Sequence, residues 1–354
     1  ETKLVSLGEF VRPELMFNDS YVYYSSNSKT MQSHFKDYAN VLKEEFSPEK
    51  VMEIGSNDGV FIKNFNNKTT IAIEPCGNFA EITNSLGYKT YDKFWNLEVA
   101  EHIIKNHGKR DLISSSNCVC HMQNLDEAFG AANKCLTDGG VFVFEDPSLL
   151  KMLERVSYDQ IYDEHAHIFS ATALQNLLGQ NGLEIFRIEN LIVHGGSNRI
   201  YACKQGTRKI ENSVAENLSL EQEYGIQELA TYKKFAKKVA TSKGALVELL
   251  TNMKNEGRKV VSYGATSKST TVFNYCGIGP DLIDYIVDTT EAKQGKLSPG
   301  MHIPVVPPQS GFNDTVDVAF LGAWNYEREI LSKEESFLKS GGRFVTHIPY
   351  VRFM

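Results

Sequence analysis

The segment SYDQIYDEHAHIF, residues 157–169, concentrates titratable side chains between apolar positions. It contains two tyrosines, three acidic residues and two histidines, more than an ordinary connecting loop carries. If the segment is helical, Tyr162 and His165 are three positions apart on one face and reach the same small group. Such a pair is usually structural, so by itself it indicates no activity. The neighbouring charged residues are expected at the surface: Asp159, Asp163 and His167.

A glycine turn, EIGSNDG at residues 53–59, follows a short apolar strand. Ligands of open parallel sheets bind at the carboxyl ends of strands, where glycine lets backbone amides approach closely. The G-x-x-x-G spacing is not the G-x-G-x-x-G of dinucleotide sites, which argues against a dehydrogenase. Glu74 ends the next strand, IAIEP, where it can accept hydrogen bonds from ribose hydroxyls.

Together, the turn and the acidic residue fit S-adenosylmethionine, although tight turns also need glycine for steric reasons alone. The residues predicted to bind this cofactor are Glu53, Gly55, Asn57, Asp58, Gly59, Glu74 and Pro75.

Composition excludes several other classes of protein. The chain of 354 residues has a net charge of -7, which argues against a nucleic-acid binder because counterion release needs a basic surface. Its apolar runs are shorter than the roughly 20 residues of a membrane span, so a cytoplasmic protein is predicted. The six cysteines form no CxxC pair, which predicts free buried thiols and no metal ligands.

Strand-like and helix-like segments alternate twice along the chain, which predicts parallel sheets covered by helices. The fold class expected is α/β, with a Rossmann-like class I methyltransferase domain followed by a second, smaller Rossmann-like domain. The predicted boundaries are an N-terminal region at 1–45, a cofactor domain at 46–205, a helical connector at 206–256 and a C-terminal domain at 257–354. In the last of these, YGATSK ends a strand, but no acidic residue stands at a convincing place for a ribose.

Several uncommon motifs run through residues 13–354: EIGSNDGVFIKNF, IAIEP, YDQIYDEH, VHGGSNRIYA and YGATSKSTTVFNYCGIG. In these the chain resembles the C-methyltransferases that act on nucleotide-linked 4-keto deoxysugars. The resemblance implies transfer of a methyl group from S-adenosylmethionine to the carbon beside the ketone, commonly C3. The implied substrate is a 4-keto-6-deoxyhexose carried on dTDP or GDP.

The resemblance also implies roles for particular residues. A C–H next to a ketone is a weak acid, so a base must remove the proton while a donor stabilises the enolate oxygen. His165 matches the family's base and Tyr162 its phenol, with Glu164 in support and His121 near the active centre. One of Tyr21, Tyr23 and Tyr24 is expected near the sugar. The polar substrate contacts predicted are His194, Ser197, Arg199 and Lys268.

The chain departs from the family at its N-terminus. Relatives carry a zinc module with paired cysteines, which is missing here, so zinc is expected only if the native chain has such a module. Relatives usually have an aromatic residue at the position of Ile168 and a tyrosine near Ser148. Because this chain differs at both places, the identity of the sugar stays open. Two other functions remain: an O- or N-methyltransferase, or a non-catalytic α/β binding protein. The chain is expected to be a monomer or homodimer.

Overall fold

The computed structural model describes residues 3–313 and 315–354. By their contacts, the residues fall into two compact units. The first contains the chain up to Leu149 together with Asp163–Gly225, and the second contains Leu150–Tyr162 and Ile226–Met354. Residues 150–162 thus belong with the C-terminal part of the chain, which the sequence did not predict. In the described ranges, no helix combines the length and apolar character needed to cross a membrane.

A long helix near the N-terminus packs against the first sheet through one apolar face. The elements here are β1 (Val5–Ser6), α1 (Pro13–Met16) and α2 (Lys29–Phe46). The Ser28 side chain caps α2 by accepting a hydrogen bond from the Met31 N–H. Met31, Phe35 and Tyr38 are buried at helical spacing.

The first unit is built around a seven-stranded sheet in the order β4-β3-β2-β5-β6-β9-β8. Its strands pair in parallel, except that β9 is antiparallel to β6 and β8. The strands are β2 (Val51–Ile54), β3 (Thr70–Ile73), β4 (Lys89–Tyr91), β5 (Arg110–Ser116), β6 (Leu136–Pro147), β7 (His167–Ile168), β8 (Leu183–Leu191) and β9 (Ser197–Lys204), with β7 pairing only with β1. The helices are α3 (Gly77–Ser85), α4 (Leu97–His107), α5 (Leu125–Cys135), α7 (Ala171–Gln180) and α8 (Asn212–Tyr224). Between α5 and α7 in the chain, α6 (Leu149–Arg155) belongs to the second unit from Leu150 onward.

The second unit repeats this arrangement on a smaller scale. Its sheet runs β12-β11-β10-β13-β14-β15, and only the last pair is antiparallel. The elements are α9 (Leu229–Asn255), β10 (Val260–Tyr263), α10 (Ser267–Cys276), β11 (Ile286–Val287), β12 (Val305–Val306), α11 (Pro308–Gly311), β13 (Val318–Leu321), α12 (Glu327–Lys333), α13 (Glu335–Lys339), β14 (Arg343–Thr346) and β15 (Arg352–Phe353). The predicted fold class, a Rossmann-like methyltransferase domain followed by a smaller Rossmann-like domain, is confirmed.

The segment at 157–169 differs from its prediction. It forms a 3-10 turn at Tyr158–Gln160, then a bend and a turn, and it is not helical at Tyr162 or His165. The prediction that these two side chains share a helix face was therefore wrong. Asp163 is exposed as expected, whereas Asp159 and His167 are buried.

Candidate active site

The glycine turn after β2 is shaped by two close approaches of the backbone. Gly55 has φ +76°, and a Cβ there would lie 2.5 Å from the Cys118 Sγ, which follows the neighbouring strand β5. Gly59 has φ +80°, and a Cβ there would lie 3.0 Å from the Thr83 side chain. Both positions require glycine, so the turn leaves its backbone open at the carboxyl end of the sheet.

Glu74 fixes this turn to the end of β3. Its Oε2 accepts a hydrogen bond from the Asn57 N–H at 2.7 Å, and its Oε1 accepts one from the Cys76 N–H at 2.9 Å. Burial raises the pKa of the Glu74 carboxyl. Each carboxylate oxygen has a second lone-pair site, so the group can still accept hydrogen bonds from ribose hydroxyls.

A cavity of about 510 Å³ opens beside Pro75, the residue that follows Glu74. Its lining residues are Asp19, Pro75, Gly77, Asn78, Ala80, Glu81, Asn84, Thr90 and Asp92. The open turn, the acidic residue and this cavity fit the nucleoside of S-adenosylmethionine.

The polar side chains of the turn hold the N-terminal segment, here defined as residues 18–27. Asn57 Oδ1 accepts a hydrogen bond from the Ser25 N–H at 2.9 Å, and Asp58 Oδ2 accepts one from the Ser26 N–H at 3.1 Å. Glu53 is buried below the turn, where desolvation raises the pKa of its carboxyl well above its ordinary range. Asn57 and Asp58 are predicted to bind the cofactor, and in the structure their side chains hold the N-terminal segment against the turn.

Tyr21 is an N-terminal tyrosine that contacts a predicted catalytic residue. Its hydroxyl donates a hydrogen bond to Glu164 Oε2 at 3.0 Å, and its ring packs edge-on against Phe79. Tyr24 packs against the same phenylalanine with ring centroids 4.8 Å apart, whereas Tyr23 is 44% exposed. The sequence had left the choice among the three tyrosines open.

Two histidines are stacked at the carboxyl edge of the same sheet. His121 lies on a 3-10 turn, Val119–His121, after β5, and its ring stacks on His165 with centroids 5.5 Å apart. Phe17 stacks on His121 at 5.2 Å. Burial lowers the pKa of His121 to about 4, so its imidazole is neutral at physiological pH. His165 is 5% exposed and directly follows Glu164.

Cys120 and Asp146 also lie at this edge, and the sequence did not assign a role to either. The ligand atoms of Cys120, His121 and His165 all lie within 4.8 Å of one another. Asp146 is the last but one residue of β6 and accepts a hydrogen bond from the Cys120 N–H at 3.4 Å. Burial raises the pKa of its carboxyl to about 7. The six cysteines are free, as predicted, and five of them are buried.

Tyr162 and Lys268 both belong to the second unit. Tyr162 is the last residue of the stretch that joins that unit, one position before the chain returns to the first. The Lys268 Nζ lies 5.9 Å from the centroid of the Tyr162 ring. The catalytic role of Tyr162 and the substrate contact of Lys268 stay predictions.

Of the predicted substrate contacts around β9, Arg199 is engaged within the fold. Its guanidinium binds Glu145 at 2.6 Å and Glu189 at 2.9 Å, and it lies 4.1 Å above the Tyr38 ring. A buried cation held in this way fits a structural ion pair, and the assignment of Arg199 as a substrate contact stays a prediction. Two other predicted contacts precede it: Ser197, which is buried and donates to the Val193 carbonyl, and His194, on a tight turn with φ 52°.

The second unit carries an acidic residue that the sequence did not reveal. Asp288 directly follows β11, and its Oδ2 accepts a hydrogen bond from the Ala265 N–H, in the turn after β10, at 2.7 Å. Its Oδ1 accepts one from the Thr290 N–H, also at 2.7 Å. The sequence offered no acidic residue at a convincing place for a ribose in this half, and Asp288 stands at the end of the strand that pairs with β10.

The order of strands, the open turn and the acidic residue at the end of β3 define a class I methyltransferase fold. Residues 29–188 match the model of a methyltransferase domain family, and residues 192–349 match that of a C-methyltransferase C-terminal domain. A curated relative, the C-methyltransferase NovU of Streptomyces niveus, is 31% identical over 99% of this chain and 84% of its own length.

Solved structures are similar to about half of the chain. An S-adenosylmethionine-dependent methyltransferase from Clostridium acetobutylicum is 15% identical, covering 51% of this chain and 94% of its own, with a TM-score of 0.38. Magnesium protoporphyrin IX methyltransferase from Synechocystis is 11% identical over 49% of this chain and 83% of its own, with a TM-score of 0.37.

The chain belongs to the C-methyltransferase family. It is an S-adenosylmethionine-dependent C-methyltransferase.

Proposed function

We propose that this enzyme methylates the carbon next to the ketone, C3, of a 4-keto-6-deoxysugar carried on dTDP or GDP. The observation that carries the proposal is the group of His165, His121, Glu164 and Tyr21, at the edge of the sheet where β5 ends. The sugar nucleotide itself is supported by the motifs shared with deoxysugar C-methyltransferases, such as YDQIYDEH and VHGGSNRIYA.

Methylation at carbon needs an acceptor that has first lost a proton. His165 is the proposed base, because a neutral imidazole carries a lone pair on one ring nitrogen that can accept that proton. As the C–H bond breaks, its electron pair forms the C–C double bond of an enolate, and negative charge gathers on the former ketone oxygen. A donor near that oxygen lowers the barrier.

His121 is suited to donate to the enolate oxygen. Its low pKa keeps the ring neutral, and a neutral imidazole has one N–H to give while the other nitrogen carries a lone pair. Stacking between Phe17 and His165 holds the ring in place. The role of Tyr162 as a further enolate donor stays a prediction from the sequence.

Glu164 and Tyr21 position the base. The Tyr21 hydroxyl donates to the Glu164 carboxylate, which ties the turn that carries His165 to the N-terminal segment. When bound, S-adenosylmethionine would supply the methyl group to the enolate carbon, its S–CH₃ bond breaking so that S-adenosylhomocysteine leaves. The turn at Gly55 and the carboxylate of Glu74 would hold the cofactor.

The test is a panel of dTDP- and GDP-linked 4-keto-6-deoxyhexoses incubated with enzyme and S-adenosylmethionine bearing a ¹³C-methyl group. NMR of the product should show the labelled methyl bonded to C3 of one of these sugars. A label found on oxygen or nitrogen, or no transfer to any keto sugar, would contradict the proposal.

A further inference from the structure

We propose that Cys120, His121 and His165 form a binding site for one zinc ion, and that an ion in this site stops methyl transfer. The inhibition rests on the proposed function, since it assumes that His165 is the base. The binding itself does not.

The three side chains are of types that zinc prefers as ligands. One thiol and two imidazoles are common zinc ligands, and the three ligand atoms lie within 4.8 Å of one another. Cys120 and His165 are buried and His121 is half-buried, so the protein shields the group from bulk water. Cys120 and His121 are adjacent in sequence and His165 is 44 positions further on, a spacing that matches none of the paired motifs used to find zinc sites.

Charge around the three residues also favours a cation. Asp146 is 3% exposed, and its Oδ2 has no hydrogen-bond partner within the described part of the chain. Its Oδ1 accepts a hydrogen bond from the Cys120 N–H, which places the carboxyl group beside that residue. Glu164, next to His165, adds a second carboxylate. A buried carboxylate with one oxygen left unpartnered is stabilised by a nearby cation.

Binding requires only local movement. Zinc bonds of about 2.0 to 2.3 Å place tetrahedral ligand atoms about 3.5 Å apart, so the three atoms must close by roughly 1 Å. The two rings are nearly parallel, at 19°, and must turn about their side-chain bonds for both lone pairs to point at one ion. His165 follows an irregular turn and His121 ends a short 3-10 turn, so neither is held by a regular helix or strand.

Occupancy of the site would change the chemistry of the enzyme. The Cys120 thiol gives up its proton to solvent as it binds the ion, and a nitrogen of each imidazole commits its lone pair. His165 would then be unable to take the proton from the sugar carbon. Zinc is therefore expected to act as an inhibitor that chelation reverses.

The binding test uses cobalt(II) as a spectroscopic substitute for zinc, added to the full chain after dialysis against a chelator. One equivalent should produce a thiolate-to-cobalt charge-transfer band. Cys120→Ser should lose this band, and His121→Asn should bind cobalt at least about 10-fold more weakly. Cys118→Ser is the matched control, because that thiol lies two positions away outside the cluster, and it should keep the band. An unchanged band in Cys120→Ser, or no binding by the wild-type chain, would overturn the site.

Inhibition is measured separately, as the zinc concentration that halves each variant's own rate. In Cys120→Ser this concentration should rise at least about 10-fold. If the cobalt band forms but saturating zinc leaves methyl transfer intact, the metal site is supported. The proposed inhibition and the assignment of His165 as the base are then both contradicted. If the wild-type chain binds no metal while His165→Asn abolishes methyl transfer, the site fails and the proposed function stands.

Discussion

The backbone N–H of Asn57 donates a hydrogen bond to Glu74 Oε2 over 2.7 Å, which ties the turn after β2 to the end of β3. The second unit has the same device, because the Ala265 N–H donates to Asp288 Oδ2 over 2.7 Å. In both units the other carboxylate oxygen accepts the N–H of the residue two positions on. Each sheet therefore fixes its first turn with an acidic residue from the adjacent strand.

The fit of the glycine turn can be tested with Gly55→Ala. A left-handed φ costs a non-glycine residue about 1 to 2 kcal/mol, and the contact with Cys118 adds to this cost. We expect binding of S-adenosylhomocysteine, measured by calorimetry, to weaken at least about tenfold. Gly206→Ala is the control, since it has φ +74° but no atom within 4 Å, and it should keep wild-type affinity. Equal affinities in the two variants would contradict the assigned role of Gly55.

The buried carboxyl of Glu53 should make the stability of the fold depend on pH. Burial raises the pKa of the Glu53 carboxyl in the folded protein well above the ordinary 4.5. The stability that the neutral carboxyl contributes is therefore fully present below pH 4.5 and is lost as the pH rises through the folded-state pKa. Glu53→Gln cannot ionise, so its free energy of unfolding in urea should fall less than the wild type's between about pH 5 and about pH 8. The control Glu98→Gln, on an exposed position of α4, should follow the wild type. Parallel profiles for Glu53→Gln and the wild type would argue against a buried neutral carboxyl.

Asp19 is predicted to hold the N-terminal segment in place. Its Oδ1 accepts the Gly77 N–H at 2.9 Å, at the start of α3. Asp19→Ala should cost about 1 kcal/mol, as for a lost helix cap, and should speed hydrogen exchange in residues 18–27. Asp37→Ala, at an exposed position of α2, should leave exchange in that segment unchanged. Unchanged exchange in Asp19→Ala would show that the contact does not hold the segment.

Arg199 should matter for stability. Arg199→Ala removes the guanidinium partner of the buried Glu145, whose carboxylate keeps its contact with His34, and should cost about 3 kcal/mol in denaturant unfolding. Lys134→Ala removes a cation from the exposed pair with Glu101 and should cost at most about 1 kcal/mol. If Arg199→Ala keeps its stability and instead raises KM for the sugar nucleotide, the original assignment of Arg199 as a substrate contact is right.

Local patterns were enough to predict the sheets and the cofactor turn. The strand VMEI is buried along its whole length, and the glycines that follow it have positive φ, as the turn requires. Contacts between distant segments could not be predicted in the same way. Arg199 has its carboxylate partners on the neighbouring strands β6 and β8, and only the register of β9 brings them together.

The same limit applies to the histidine site. Sequence spacing treated His165 as part of a helix with Tyr162, whereas the structure places it on a turn against His121, 44 positions earlier. Asp288 was missed for a related reason. Asp288 contacts the turn after β10 because β10 and β11 are neighbouring parallel strands, and the sequence alone does not specify that pairing.

Exchange of the sugar proton with deuterated water tests the central claim most directly. With S-adenosylhomocysteine bound, no methyl group is available, so a base at His165 should still exchange the C3 proton of the keto sugar. We expect His165→Asn to bind S-adenosylhomocysteine normally and to lower this exchange at least about 10²-fold. The control His102→Asn, at an exposed position of α4, should exchange at the wild-type rate. Exchange at the wild-type rate in His165→Asn would contradict the account.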